Sequence, residues 1–179
     1  MKEDKGFSLT ELAVVIAVIA IMAAVTVPTI SQTMRNLKSR TDARSIATAL
    51  TVAKLKATSQ FTRYQVRFSL SQNRWILEKF NKNTGEFEAD GAEITLSKED
   101  SDYRVAFQAS SSSAPTGFST TSSNLIRFNS RGVPINDSGV MIADSAVYLQ
   151  DPDNSYAVTV SLSGKVQLWQ KRSGTWASI

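Results

Sequence analysis

Glu11, an ionisable residue near the start of the chain, requires a charged partner because it borders an apolar stretch. Residues 12–27 have the sequence LAVVIAVIAIMAAVTV, in which Thr26 is the only polar side chain, and Glu11 directly precedes them. A lone carboxylate in lipid costs on the order of 3 kcal/mol and therefore requires a partner. The chemistry that this spacing predicts is charge pairing.

The element that must position Glu11 is a long helix. Counted from Phe7 to Val27, the stretch has 21 residues, which as a helix measure roughly 31 Å, about the thickness of a bilayer core. Pro28 follows directly, and a proline removes one backbone donor and clashes one turn back. We expect a kink or a locally opened helix at residues 24–28, the alternative being a simple helix boundary at the membrane surface.

The segment Gly6-Phe7-Ser8-Leu9-Thr10-Glu11-Leu12 resembles the class III signal of type IV pilin-like proteins. The resemblance implies that a prepilin peptidase cleaves between Gly6 and Phe7 and that the new N-terminal Phe7 is N-methylated. It also implies that Glu11 pairs with the Phe7 amino group of the same or a neighbouring subunit. Pro28 falls where this family commonly has a helix-perturbing proline. Gly6 suits cleavage because a residue without a Cβ lets an extended backbone enter a protease cleft.

Two plainer interpretations of this N-terminus are a secretory signal peptide and an ordinary one-span anchor. A secretory signal peptide has a basic leader and a small-residue cleavage site, whereas residues 1–6 carry two basic and two acidic side chains and residues 22–25 fit such a site poorly. An ordinary one-span anchor explains the length of the apolar stretch, but it does not explain the spacing between Gly6-Phe7 and Glu11.

Two residue types that commonly do chemistry are missing, since the 179-residue chain has no Cys and no His. Without Cys the chain has no disulfide scaffold and no thiolate metal site. Without His it lacks the usual general base and the usual transition-metal ligand. We therefore expect a protein that is not an enzyme and that holds no cofactor or metal.

The positive charge is concentrated in one segment. The whole chain carries +4, but residues 29–64 carry seven basic side chains against Asp42 alone, a net charge of +6. The plain interpretation is a solvated helix face, or one attracted to anionic lipid head groups, where each basic residue contributes about 1 kcal/mol. The alternative is contact with acidic surfaces of neighbouring subunits.

The apolar pattern predicts an α+β fold in which a long N-terminal helix, half of it transmembrane, packs on an antiparallel β-sheet head, and the resemblance implies that this is the pilin-like fold. After residue 28 the apolar residues follow one helix face, and after residue 64 the period becomes two. The helix stripe consists of Leu37, Ala43, Ile46, Leu50, Ala53, Ala57 and Phe61. The expected boundaries are a leader at 1–6, a transmembrane and filament-core helix at 7–28, a basic amphipathic extension at 29–64 and a periplasmic β-rich head at 65–179.

Within the head, the best-defined prediction is a hairpin of residues 66–70 and 74–80 around a turn at 71–73. Residues 109–123 (ASSSSAPTGFSTTSS) predict a mobile surface loop. Residues 86–102 hold seven acidic side chains and one basic side chain, Lys98. This composition indicates a solvated loop. Calcium binding is the alternative, although the spacing does not match an EF-hand. Whether the strands form one sheet or two packed sheets stays open. Further strand candidates are 94–96, 103–107, 125–128, 140–142, 146–149, 156–162 and 165–170.

The second half of the chain resembles the GspH/FimT-type minor pilins and pseudopilins, in which an F-x-x-x-G turn and a late strand–Gly–strand hairpin recur. Here these are Phe128-Asn-Ser-Arg-Gly132 and residues 158–166 (VTVSLSGKV). The resemblance implies a minor pseudopilin of a type II secretion pseudopilus, assembled after prepilin peptidase cleavage. Its partners would be the peptidase, other pilin-like subunits and the inner membrane, which it would cross once with its head in the periplasm.

The alternative is a FimT-like type IV minor pilin that acts in pilus assembly or DNA uptake. DNA-binding relatives carry G-R-x-R in the last hairpin, whereas this chain has Gly164-Lys165-Val166-Gln167. Lys165 keeps a charge but not the bidentate reach of Arg, and Gln167 has no charge. The candidate DNA-binding residues are Lys165, Lys171 and Arg172, with Trp169 and Trp176 as possible stacking platforms or, more plainly, as packing residues.

Overall fold

The computed structural model describes residues 8–98 and 104–179, without the side chains of residues 25, 27–29, 31 and 32. The expected leader, Phe7 and the acidic residues 99–102 lie outside this description. The described residues form one helix and eleven strands. They are α1 Leu9–Ser59, β1 Tyr64–Ser69, β2 Arg74–Phe80, β3 Phe87–Ala89, β4 Ile94–Thr95, β5 Ala106–Gln108, β6 Leu125–Phe128, β7 Pro134–Ile135, β8 Asp144–Gln150, β9 Ser155–Ser161, β10 Val166–Arg172 and β11 Thr175–Ser178.

The chain divides into two compact units, Met1–Leu37 and Lys38–Ile179. In the first unit, α1 presents exposed apolar side chains from Leu9 onward. The helix assignment continues without interruption through residues 24–28, so the expected opening of the helix before Pro28 is not found. Within this stretch the Thr26 hydroxyl donates to the Met22 carbonyl at 2.8 Å.

In the second unit, one face of α1 forms part of the core. Five residues of the predicted stripe are buried, which confirms that part of the prediction: Ala43, Ile46, Leu50, Ala53 and Ala57. The prediction is wrong for its two ends, because Leu37 is 53% and Phe61 76% exposed. Leu37 precedes the head unit. Phe61 has a φ of 49°, and this left-handed conformation ends the helical path, so α1 stops at Ser59, short of residue 64.

The strands form two antiparallel sheets, which answers the question that the sequence left open. The first sheet has the order β3-β2-β1-β6-β7, with β4 also pairing with β2, and the second has the order β11-β10-β9-β8-β5. The predicted hairpin of β1 and β2 is confirmed, with Phe68 opposite Trp75. Its turn ends at Asn73, whose φ is 54°.

One strand expectation is wrong, and strand β11 was not predicted. Residues 140–142 do not form a strand, and Met141 makes only an isolated bridge with Ile135. The chain instead adds β11 after a turn at Ser173 and Gly174, where both residues have positive φ. Side-chain alternation does not reveal so short a strand, because its pairing with β10 is set by the turn.

The main core lies between the helix face and one face of each sheet. The first sheet contributes Tyr64, Val66 and Phe128, and the second contributes Val147 and Val158, all of them buried. A smaller cluster on the second sheet contains Ala146, Tyr148 and Ala157, against which Ala114, Phe118, Trp169 and Trp176 pack. The hydroxyl-rich segment 109–123 therefore packs on a sheet and is part of the fold.

Candidate functional site

Glu11 lies in the first turn of α1, where it forms a reciprocal cap with Ser8. The Ser8 backbone N–H donates to Glu11 Oε2 at 3.1 Å, and the Glu11 N–H donates to Ser8 Oγ at 3.4 Å. This is a capping box, which satisfies two backbone donors that a helix start would otherwise leave free. This capping box was not predicted, although Ser-x-x-Glu ahead of an apolar run is its signature.

The expected partner of Glu11, the Phe7 amino group, lies outside the described residues, as does Gly6. Pro28 is within α1 by its backbone, while its side chain is not described. The described structure therefore fixes one member of the expected charge pair. Glu11 is exposed beside the first described residue, Ser8.

The helix segment that follows Glu11 is apolar, and those of its side chains that the structure describes are exposed. Its large exposed side chains are Leu12, Val14, Val15, Ile16, Val18, Ile19, Ile21 and Met22. An apolar patch of this size marks a contact surface. A search of the described residues alone found no helix with the length and apolarity needed to span a membrane.

The F-x-x-x-G turn and the late strand–Gly–strand hairpin of the head lie against each other. Gly132, in the turn between β6 and β7, lies against Gly164, in the turn between β9 and β10, and a Cβ on Gly164 would be only 2.3 Å from the Gly132 carbonyl oxygen. Lys54 of α1 covers the same point, since its ammonium donates to the Gly164 carbonyl at 2.9 Å and to the Ser163 carbonyl at 3.4 Å. We call this arrangement of Lys54, Gly132 and Gly164 the glycine junction.

Glycine is required at both turns for conformational and steric reasons. Gly132 has a φ of 75° and Gly164 a φ of 71°, in the left-handed region that favours glycine. The first turn is fastened by Asn129, whose side-chain oxygen accepts the backbone N–H groups of Arg131 and Val133 at 2.9 and 3.0 Å. The two motifs therefore serve to join both sheets to α1.

The three candidate DNA-binding residues do not come together. Lys165 precedes β10, whereas Lys171 and Arg172 end it, and six residues of strand span about 20 Å. Lys171 donates to Ser112 Oγ at 3.1 Å, and Arg172 donates to Gln170 Oε1 at 3.1 Å. These residues form no single cationic surface.

The two tryptophans near these residues are packing residues in this structure. The Trp169 indole N–H donates to Thr159 Oγ1 at 2.9 Å. The Trp176 indole N–H donates to the Ser113 carbonyl at 3.1 Å, and its ring lies 5.8 Å from that of Tyr148. Both side chains are half-buried and pack against the cluster of Ala146, Tyr148 and Ala157.

A cleft of about 1130 Å³ lies over the outer face of the first sheet, and the two arginines that line it, Arg67 and Arg127, are paired. Arg67 Nε lies 3.1 Å from Glu78 Oε1, and Glu78 also accepts from Gln65 Nε2. Arg127 donates to Gln65 Oε1 at 2.9 Å and pairs with Asp137 at 3.0 Å. Burial lowers the pKa of Arg127, and the nearby Arg63 and Arg67 lower it further. Because these groups satisfy one another, the network supports the sheet.

The acidic segment after β2 is held by basic residues where it is described. Lys56 Nζ lies 2.7 Å from Asp90 Oδ2, and Arg74 lies 3.0 Å from Glu93. Within residues 8–98 and 104–179, no group of three or more acidic, His or Cys residues has the spacing to hold a metal ion. The calcium alternative therefore gains no ligand set from these residues.

A long helix, a head of two antiparallel sheets and an acidic residue in the first helical turn together define a pilin-like subunit. Residues 42–164 match the family described as type II transport protein GspH, and residues 1–27 match the prokaryotic N-terminal methylation motif. The chain therefore belongs to the GspH family. That family is one of type II transport proteins.

Solved structures with a similar fold include two of the minor pseudopilin EpsH from the type 2 secretion system of Vibrio cholerae. One is 15% identical with a TM-score of 0.49, covering 73% of this chain and 95% of that one. The other is 15% identical with a TM-score of 0.48, covering 73% and 92%. A comparison with curated protein sequences gave no match.

Proposed function

We propose that the chain is a non-enzymatic subunit of a secretion pseudopilus that is processed between Gly6 and Phe7 before assembly. The observation that carries this proposal is the N-terminal methylation motif at residues 1–27, which includes the start of α1, where the large apolar side chains from Leu9 to Met22 are exposed. After cleavage by a prepilin peptidase, Phe7 becomes the N-terminal residue and is methylated. Glu11 is then four residues from the new N-terminal residue in sequence.

The pairing of Glu11 with that amino group would set the register between stacked subunits. The Glu11 carboxylate already lies at the start of α1, 3.1 Å from the Ser8 N–H, and Ser8 directly follows Phe7. A buried ion pair adds little net stability, but it selects one register because a mismatched carboxylate would remain unpaired in an apolar environment. We assign Pro28 to the same assembly helix.

We further propose that this helix resides in the inner membrane before assembly, with the head in the periplasm. The apolar residues 12–27 support this location, since they fit lipid better than water. Among the described residues of the head, the two sheets and α1 enclose a core of their own, as expected of a folded domain outside the membrane.

The test is mass spectrometry of the protein purified from cells that carry the whole secretion system. We expect an N-terminus at methylated Phe7, and Gly6→Val should retain the leader. An intact Met1 in the wild type would contradict processing, and a start near Ala24 would indicate a secreted soluble protein.

In the same strain, an in-frame deletion should abolish type II secretion and leave surface pili and DNA uptake intact. Loss of pili or of DNA uptake with normal secretion would instead indicate a type IV minor pilin.

A further inference from the structure

A groove lies between α1 and the first sheet of the head. Its volume is about 580 Å³, which is within the usual range for a small-ligand site, about 300–1,000 Å³. The helix lines it with Ser45, Ala49 and Val52, and β2 lines it with Trp75 and Leu77. We call this space the helix groove.

A short segment of the chain forms a third wall of the helix groove, and ion pairs hold it in place. Four of the five residues 90–94 line the groove. Asp90 pairs with Lys56 of α1 at 2.7 Å, and Glu93 pairs with Arg74 of β2 at 3.0 Å. The segment is therefore fastened both to the helix and to the sheet. A groove with walls already in place loses little conformational entropy when a ligand enters.

The walls of the helix groove are largely apolar. The aliphatic and aromatic side chains that line it are Ala49, Val52, Trp75, Leu77 and Ile94. An alkyl chain that lies against these side chains leaves water, and each buried methylene group favours binding. The apolar walls thus favour a ligand with a hydrocarbon chain.

The helix groove also has one free cation. Arg44 lines the groove and is exposed. Among the residues that the structure describes, its guanidinium takes part in no hydrogen bond and no ion pair. The other charged residue that lines the groove is Asp90, which Lys56 neutralises. Arg44 and Lys56 are twelve residues apart in α1, about 18 Å along the helix axis, so the free cation and the neutralised carboxylate are well separated.

We propose that the helix groove binds a fatty carboxylate, a single alkyl chain with one carboxylate head group. The chain lies along Val52, Trp75 and Leu77, and Arg44 binds the head group through the two parallel N–H···O bonds that a guanidinium forms with a carboxylate. One guanidinium balances one negative charge, which favours a carboxylate over a doubly charged phosphate. This binding depends neither on processing of the chain nor on its assembly.

The test uses the full chain, kept in solution by a fluorinated surfactant because its tails mix poorly with hydrocarbon. The probe is undecanoate with a bromine at the end of its chain, since bromine quenches tryptophan fluorescence on contact. Of the three tryptophans in the chain, Trp75 alone lines the helix groove. We expect saturable quenching that is largely lost in Trp75→Phe.

The role of the charge is tested at Arg44. Arg44→Glu should weaken binding of the probe about tenfold or more, because it removes a charge-assisted hydrogen bond. Arg44→Lys should retain most of the affinity. Lys82→Glu changes the charge by the same amount at an exposed residue outside the groove, and it should bind like the wild type.

The place of the alkyl chain is tested by filling the groove. Ser45→Phe should abolish the quenching. The matched control is Thr51→Phe, because Thr51 lines a smaller cavity of about 430 Å³ beside α1 that shares Arg44 with the helix groove and lacks Ser45. Thr51→Phe should leave the quenching unchanged. Melting temperatures show whether each variant is folded, and if Ser45→Phe is not, the exposed Arg44 variants carry the test.

Four results would overturn the inference. They are the absence of saturable quenching, quenching that persists in Trp75→Phe, unchanged affinity in a folded Arg44→Glu variant, and equally tight binding of bromoundecanol, which has no charge. Quenching by vesicles of brominated phosphatidylglycerol without any by the free carboxylate would also overturn it, because the ligand would then be a membrane lipid.

Discussion

The Gly132 carbonyl oxygen lies so close to Gly164 that a Cβ on Gly164 would be 2.3 Å from it. Gly132 belongs to a turn of the first sheet and Gly164 to a turn of the second, so this contact joins the sheets directly through their backbones. Backbone atoms cannot rotate aside as a side chain does, and the contact therefore tolerates no added atom. Glycine at 164 follows from this approach as well as from its positive φ, whereas a Cβ on Gly132 would lie 3.1 Å from side-chain carbons of Lys54 and Thr58.

Replacement of Gly164 by Ala should destabilise the head by several kcal/mol. The substitution combines backbone strain of about 1–3 kcal/mol at a positive φ with a clash against the Gly132 carbonyl. Gly174→Ala is the matched control, because its φ of 83° is similar but a Cβ there meets nothing within 4 Å. Thermal unfolding followed by circular dichroism should show a much larger drop for Gly164→Ala. Equal drops would mean that the close approach contributes nothing beyond strain.

Lys54→Met should cost about 1–2 kcal/mol of unfolding free energy. Methionine preserves much of the apolar stem but removes the charged donor to the Ser163 and Gly164 carbonyls, and such bonds contribute roughly this amount. Lys82→Met, at an exposed position, should stay within about 0.5 kcal/mol of the wild type. Chemical denaturation measures both variants, and a Lys54 variant as stable as the Lys82 variant would argue against the Lys54 contacts.

The stability of the head should decline in acid partly through Asp90. The hydrogen bond from Lys56 lowers the pKa of Asp90, and the charge of Lys56 acts in the same direction. A carboxyl whose folded pKa is below its unfolded pKa contributes stability above the unfolded value, and this contribution is lost as the pH falls through the folded value. Melting temperatures between about pH 5 and pH 2 should therefore fall less steeply for Asp90→Asn than for the wild type. Parallel curves would show that the Lys56 pair does not act in this way.

Glu11→Gln should separate the two roles of this residue. Glutamine also serves at the third helical position of a capping box, so the first turn of α1 should remain intact and the leader should still be cleaved. The variant lacks the negative charge, and we expect it to be absent from sheared filaments. Ser8→Ala, which removes only the hydroxyl that accepts the Glu11 N–H, should still assemble. Normal assembly of the glutamine variant would show that the charge is dispensable.

The sequence predicted the elements whose signal is local. The alternation around Val66 and Phe68 identified the first hairpin, and the three-and-four spacing of Ile46, Leu50 and Ala53 identified the buried helix face. The division into two sheets was not predictable, because it depends on which distant strands pair. The junction of Gly132 with Gly164 was also hidden, since a backbone contact between residues 32 positions apart leaves no periodic signal.

The candidate sites show the same limit. Glu11 was identified because a carboxylate beside an apolar run is chemically unusual. Lys171 and Trp176 were predicted as possible DNA contacts because they are near Lys165 in sequence. In the fold, Lys165 directly precedes the seven-residue strand β10, and Lys171 lies near the other end of that strand. Ser112 and Ser113, which bind these side chains, belong to a segment whose composition predicted a mobile loop.

That hydroxyl-rich segment also bears on how the unassembled subunit avoids aggregation. The second sheet would otherwise expose Tyr148, Trp169 and Trp176 together, and a flat aromatic sheet face attracts other chains. The Ser122 hydroxyl fastens the cover, because it donates to the Gln108 carbonyl and accepts the Tyr148 N–H at 3.0 Å. The serine and threonine side chains of this segment thus form a polar outer surface over the aromatic side chains of the sheet. We expect this polar surface to reduce association of other chains with that side of the head before the subunit assembles into a filament.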